Sequence, residues 1–448
     1  MKRPISCTLL ILSLILYYFA PENYSFGYCL WVHNLFLVSA AFIILLDRRN
    51  EKVGFNILFS TSFFFTNFVY PVYIYPIDPS YSLFSFPFNE RVISKCTGMA
   101  QVAYAAYACG YLWNLQSETR IKHIDLGFFV STRHLRVITI SVLAYFLVFL
   151  ISGGIDYFED RYVRGEMSSN LGVQYLMLFF PTIIIFYGTL IFLCKSKKQI
   201  TYIYVILTLI ALILLSSGTR TFPLLIFSSL LIIYCLRNKV SSSFVILCII
   251  AGIILMSFIG DVRHDGIIAS NSIVKESSKF GYFEKFSDLF INNRNLYVFY
   301  DFVNQNSYSY GLTMVSCLLT PIPFAQRTFL SLTGVPYYLI NSATLSSVLE
   351  LGDPPSFGLG TNIVGDVYLA FGLIGVLILF PILGRFIIYA RRRAMNGSYS
   401  YMIVYLALAS DAIYMCRASY FDALRIILWT LFFAWVYKRM CKKDIFDY

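Results

Sequence analysis

The sequence predicts an all-α integral membrane protein, a polytopic bundle of about 12 transmembrane helices with a large external loop containing short helices. Three observations predict this class. The 448 residues are 58% hydrophobic and only 13% charged, with a mean hydropathy of +0.69, whereas soluble domains run about 45–50% apolar and about 25% charged. Stretches such as ITYIYVILTLIALILLSS and SFVILCIIAGIILMSFIG are continuously apolar, unlike the alternating strands of roughly ten residues that build an outer-membrane barrel. Finally, charge alternates between loops. Basic clusters at Lys2/Arg3, Arg48/Arg49/Lys52, Arg120 to Arg136, Lys195/Lys197/Lys198, Arg237/Lys239, Arg385/Arg391/Arg392/Arg393 and Lys438 to Lys443 leave one side at +16 and the other at −5.

Taken in order, crossings are expected at roughly 5–20, 27–46, 53–75, 93–115, 137–152, 171–194, 200–217, 222–236, 243–260, 362–384, 399–417 and 422–437. The first is followed by PENYSFGY, without a small-x-small cleavage site, and reads as a retained helix. It and the segment 222–236 are short for a span and need flanking residues or local thinning. The positive-inside rule puts both termini and every basic loop in the cytoplasm, which requires an even number of crossings. The chain then divides into residues 1–260 with nine crossings, an external loop at 261–361, and residues 362–448 with three crossings and a tail.

Two external loops are long, GGIDYFEDRYVRGEMSSN (153–170) and 261–361. The second carries phased apolar positions, Phe283, Phe286 and Phe290, and an apolar stretch, LTMVSCLLTPIPF, broken by Pro321 and Pro323. Helices lying on or dipping into the outer surface as a lid are expected there, the rival being a small soluble insert unrelated to activity.

The net charge of +11 is accounted for by topology, so it does not point to nucleic acid. The ten cysteines lie mostly in apolar runs with no CxxC pair, and His33, His123, His134 and His264 show no ligand spacing, so neither a disulfide framework nor a metal site is implied. Phosphate loops, GxGxxG fingerprints and Ser/His/Asp spacing are absent. What remains is chemistry or transport on the outer face without a nucleotide or cofactor.

External charges are therefore the candidates, because ionisable groups at membrane depth are costly unless used. Arg220 lies in SSGTRTFPLL, a tight external turn between two apolar helices. Arg161 and Arg164 sit in DRYVRG, Arg263 and His264 in GDVRHDG, and Arg327 in the apolar part of the long loop. Asp366 opens the tenth crossing in GTNIVGDVYLAFG. Converging guanidinium forks suit a diphosphate better than lysines do. A single interfacial arginine more often snorkels to headgroups, but for Arg220, in the tight Gly218 turn, the phosphate reading is preferred. For Asp366 two readings stay open, a carboxylate satisfying a helix N-terminus and a catalytic base. Asp411, Arg417, Asp422 and Arg425 rank lower, with mutual salt bridging a sufficient account, and interfacial belts explain most of the 42 Phe and 35 Tyr.

On these residues the chain resembles the Wzy-type O-antigen polymerases of bacteria, polytopic enzymes with a large external loop toward the C-terminal third. SSGTRTFPLL is similar to the family's Ser/Gly-Ser-Arg turn, which implies a diphosphate-contacting role for Arg220. GDVYLAFGLIGVLI is similar to the family's acid, Tyr, Phe-Gly and Gly pattern, although the family commonly has Glu at the position of Asp366 and often Asn at that of Ala370. Some members carry an external Arg followed eleven positions later by Gly, a spacing that Arg161 and Gly172 fit. The resemblance implies a GT-C-like bundle without a cofactor, working on undecaprenyl-diphosphate-linked oligosaccharide in the membrane lipid at the periplasmic face of the inner membrane. A chain-length regulator and a flippase are the implied partners. Arg220, helped by Arg161, Arg164, Arg263 or Arg327, would stabilise the departing diphosphate, and Asp366 or His264 would serve as general base.

Three rivals stand beside this. An O-antigen ligase would use a histidine in the large loop, and His264 only begins that loop. A lipid-linked oligosaccharide flippase would have short loops on both sides. A lipid-phosphosugar glycosyltransferase usually has acids in the first external loop, where this chain offers Glu22 alone.

Overall fold

The computed structural model describes residues 2–47, 53–79, 88–115, 130–159, 171–216, 219–238, 240–241, 243–244, 247–248, 252, 290–355 and 357–446. Their regular structure is helical, with no strand among the described residues. In chain order the helices are α1 (Lys2–Tyr18), α2 (Phe26–Asp47), α3 (Phe55–Val69), α4 (Ile93–Asn114), α5 (Thr132–Ile151), α6 (Gly154–Glu159), α7 (Leu171–Thr189), α8 (Lys197–Ser216) and α9 (Thr221–Arg237). After residue 290 follow α10 (Asn293–Gln305), α11 (Val315–Leu319), α12 (Ala325–Thr333), α13 (Ser342–Leu351), α14 (Ile363–Met395), α15 (Tyr399–Met415) and α16 (Ala423–Phe446).

Among the described residues six helices are long and apolar enough to cross a membrane: Phe26–Leu46, Phe55–Ile74, Thr132–Ile151, Gly172–Leu193, Lys197–Ser216 and Ile363–Met395. Two shorter apolar helices, Arg3–Tyr18 and Thr221–Arg237, accompany them. Large apolar side chains around the bundle, such as Trp31, Ile140, Leu209, Ile374 and Trp435, are half or more exposed. That is the surface a bilayer covers. The expected crossing at 243–260 lies almost wholly outside the described residues, as do Phe283 and Phe286.

At the centre stand α4 and α14, packed along each other. In α4, Ala100, Ala103, Ala105, Ala106 and Ala108 have no exposed surface, so this helix is enclosed by protein rather than lipid and tolerates Ser94, Thr97 and Gln101. The two backbones meet where a Cβ on Gly110 would collide with Pro381 and one on Gly384 with Tyr107 and Tyr111. Small residues at such a crossing let dispersion contacts act at close range. The sequence places Arg385 and Arg391 to Arg393 in a loop after residue 384. Instead α14 continues to Met395, because the end of α4 supplies partners: Tyr111 Oη accepts from Arg391 Nη1 at 2.8 Å and the Asn114 carbonyl accepts from Arg392.

The bundle has a basic end and an opposite polar end. At the basic end Thr189 and Tyr399 share a hydrogen bond at 3.0 Å, Arg237 donates to the Ile191 carbonyl, and Val130 N donates to Leu193 O at 3.0 Å. At the other end Ile363 N donates to Cys416 O at 3.2 Å, joining the start of α14 to the end of α15. Residues 290–361 pack on this polar end. α10 is seated against α14 and α4, and the apolar stretch after it becomes a 3₁₀ turn (Leu312–Met314) and α11, which stops just ahead of Pro321. The exposed α12 has no buried residue.

Candidate active site

The site grows from the first turn of α14. Asn362 caps this helix, its side-chain oxygen accepting from Val364 N at 2.9 Å and Gly365 N at 3.3 Å, as a short polar side chain does at an N-cap. Asp366 follows in the first turn, where the helix dipole favours an anion, and has no exposed surface. One carboxylate oxygen, Oδ2, accepts from Tyr420 N at 2.9 Å, and the Ser342 hydroxyl lies alongside. Oδ1 is buried without a hydrogen-bond partner among the described residues. A buried acceptor left open in this way costs about 1–3 kcal/mol unless something binds it.

Around Asp366 the hydroxyls are linked: Thr361 donates to Ser342 at 3.0 Å, and Ser342 and Ser419 lie 3.1 Å apart. Ser342 is placed by Asn341, which caps α13 through Ala343 N (2.8 Å) and Thr344 N (3.3 Å). Ser419 and Tyr420 belong to the short connection between α15 and α16. That connection is the hub of the site. Besides holding Asp366 and Ser342, it offers Cys416 O to Ile363 N, and Tyr420 Oη donates to Leu379 O at 2.6 Å. Its Arg417 faces the Asn292 amide, whose oxygen, in the amide orientation that satisfies both groups, accepts from Nε at 2.7 Å and Nη2 at 3.3 Å. Nearby, Arg425 faces both Asp411 and Asp422. Asp411, Asp422 and Arg425 thus lie within electrostatic range of one another, while Arg417 has a different partner from the one its sequence neighbours suggest.

A second polar layer ties α3, α10 and α14 together. Asn362 Nδ2 donates to Asn67 Oδ1 at 3.0 Å and Asn293 Nδ2 to Asn67 O at 3.2 Å. Arg294 Nη2 meets Glu350 Oε2 at 2.6 Å, both side chains largely buried. Burial pulls the Arg294 guanidinium below its ordinary pKa, and Glu350 pulls it back up.

The acid-Tyr-Phe-Gly pattern acquires a structural meaning. Tyr368 stacks on Tyr300 at 5.1 Å. Gly372 interrupts α14 with φ +65° and ψ −157°, and the loop before α11 closes over the break, with Ser309 N donating to Leu369 O at 2.8 Å. A Cβ at residue 372 would stand 2.8 Å from the Tyr308 ring, so both space and backbone demand glycine.

Arg220 occupies the N-cap position of α9 and is half-buried beside the buried Thr219. α9 runs antiparallel to α15, pinned by Ser228 Oγ donating to Ser410 O at 2.9 Å. At 1.5 Å per residue, the stretch from Ser228 back to Arg220 carries it about 12 Å beyond Ser410. That is the level of the α15–α16 connection. Arg220 and Asp366 therefore share the polar end, on two helices that both pack against α15. Arg327 is exposed on α12, and Arg161, Arg164, Arg263 and His264 lie outside the described residues. Sequence reasoning underrated the α15–α16 connection; its signal was the density of polar residues in SDAIYMCRASYFDALR amid apolar helices.

The family model described as O-antigen polysaccharide polymerase Wzy matches residues 4–444. No curated protein and no solved structure matches the chain significantly. With nearly every residue inside that match, in an all-helical membrane bundle, the chain belongs to the Wzy family of O-antigen polysaccharide polymerases.

Proposed function

We propose that the protein joins undecaprenyl-diphosphate-linked oligosaccharide repeat units into O-antigen polysaccharide at the periplasmic face of the inner membrane, with the basic end of the bundle and both termini in the cytoplasm. The observation that carries the reading is Asp366: an acid with no exposed surface, one oxygen held by Tyr420 N and the other open, at the end of the bundle opposite the basic clusters. A buried carboxylate with one free lone-pair face is suited to accept a proton.

In the step proposed, the acceptor sugar hydroxyl attacks the anomeric carbon of the donor. Its C–O bond forms as the bond from that carbon to the lipid diphosphate breaks, the hydroxyl proton passes to Asp366 Oδ1, and the diphosphate departs with the bonding electron pair. Arg220 supplies positive charge where the leaving group gains negative charge, an interaction stronger in the transition state than before it. Arg161, Arg164, Arg263 and Arg327 are proposed to line the approach of the lipid diphosphate, His264 is the alternative base, and residues 261–361 cover the site. A flippase delivering the units and a chain-length regulator complete the proposed setting.

The test is a clean deletion in the source strain, with surface lipopolysaccharide run on a gel beside strains complemented by wild type or Arg220→Ala. A core carrying a single repeat unit, restored to a ladder by wild type and not by Arg220→Ala, is expected. A bare core in the deletion strain would reject the polymerase reading.

A further inference from the structure

We propose that the end of α10 and the turn after it, residues 300–311, form a binding surface for uncharged sugar rings, which holds the glycan while the chemistry proceeds; this rests on the polymerase reading above. The segment reads YDFVNQNSYSYG, and between Arg294 and Arg327 the chain has no Lys or Arg and a single acid, Asp301. A segment without a cation of its own supplies no clamp for phosphate.

Its aromatic side chains are ordered. Tyr300 stacks on the buried Tyr368 with an interplanar angle of 15°, Tyr308 stands edge-on to Tyr368 at 6.1 Å, and Tyr310 edge-on to Tyr308 at 6.4 Å. The outer two rings are open, Tyr308 being 37% and Tyr310 76% exposed. Tyr310 is held at φ +49°, a backbone region rarely used by residues other than glycine. Beside them Asp301 is locked by two amides, Oδ1 accepting from Asn89 Nδ2 at 2.9 Å and Oδ2 from Gln305 Nε2 at 2.8 Å. Each oxygen retains a lone pair for a further donor.

Flat rings presented next to an oriented carboxylate and amides match the two faces of a pyranose, apolar C–H on one side and hydroxyls at the edge. A membrane-interface belt would also be aromatic. Here, however, the exposed side chains Asn304, Gln305, Asn306 and Ser307 separate the rings, so the rings stand in a polar turn with hydrogen-bonding groups between them. Tyr368 is two positions beyond Asp366, about 200° around α14. The surface therefore flanks the first turn of that helix on the side away from Tyr420.

The experiment uses the full chain in nanodiscs and, as probe, the O-polysaccharide of the source strain freed from lipid by mild acid, with dextran as control. Wild type is expected to bind it, Tyr308→Ala/Tyr310→Ala to bind roughly tenfold more weakly, and Tyr310→Phe to bind like wild type because the ring face remains. Absence of wild-type binding, or equal affinity in wild type and the double alanine variant, would overturn the proposal. The assay needs no turnover. Loss of binding in the alanine variant from a protein whose deletion leaves the polysaccharide ladder intact would uphold this surface and reject the polymerase reading instead.

Discussion

Asp366→Asn keeps the volume of a side chain that has no exposed surface and keeps an oxygen to accept from Tyr420 N, now 2.9 Å away. Changing a charged acceptor to a neutral one weakens such a bond by about 1 kcal/mol. Against a typical folding stability of about 5–15 kcal/mol, the variant remains folded. If Asp366 takes the acceptor proton, however, the rate falls by about 10²–10⁴, which is about 3–5 kcal/mol on the barrier. Chemistry and packing therefore separate by two orders of magnitude in activity at nearly constant protein level. The assay is the lipopolysaccharide ladder of the deletion strain complemented with Asp366→Asn, beside an immunoblot of its membranes. A core with one repeat unit at normal protein level is expected. A normal ladder would refute the reasoning and leave Asp366 as the carboxylate that ties the α15–α16 connection to α14.

Arg220→Lys is expected to lose polymer nearly as completely as Arg220→Ala, about 10²–10³ in rate, because a point charge cannot reproduce a forked contact; wild-type chain lengths in the Lys variant would show a headgroup anchor instead. Gly372→Ala places a methyl group 2.8 Å from Tyr308 at φ +65° and is expected to cost about 1–3 kcal/mol, read as a lower melting temperature of the purified protein. Removing one partner of the Arg294–Glu350 pair, by Arg294→Met, strands a buried charge and is expected to cost about 3–5 kcal/mol, with Arg294→Met/Glu350→Leu recovering much of it. Equal stability of the single and double variants would contradict that account.

The membrane class, the apolar helices and the alternation of basic clusters are all legible in the sequence, because hydropathy and charge are sums over neighbours along the chain. The turn carrying Arg220 and the acid of GDVYLAFG could be singled out for the same reason: a charge next to a long apolar run is visible without knowing the fold. The glycine at 372 could be noticed as part of a pattern, but not its cause, since the Tyr308 ring that excludes a Cβ arrives from 64 positions away. Likewise α4 does not look lipid-facing or core-facing from its alanines; enclosure by α1, α2 and α14 decides it.

By itself the sequence determined that this chain is a helical membrane protein, where its apolar segments run, and that its unusual charges lie outside the basic clusters. Only the tertiary structure decided that Asn362, Ser342, Ser419 and Tyr420 surround Asp366, that Arg417 is held by Asn292, and that one carboxylate oxygen remains open. The physical reason is the range of the forces: partition into a bilayer depends on local composition, whereas a buried polar group must find partners wherever packing brings them, and those partners are 54 residues apart in the chain for Asp366 and Tyr420 and 77 for Ser342 and Ser419.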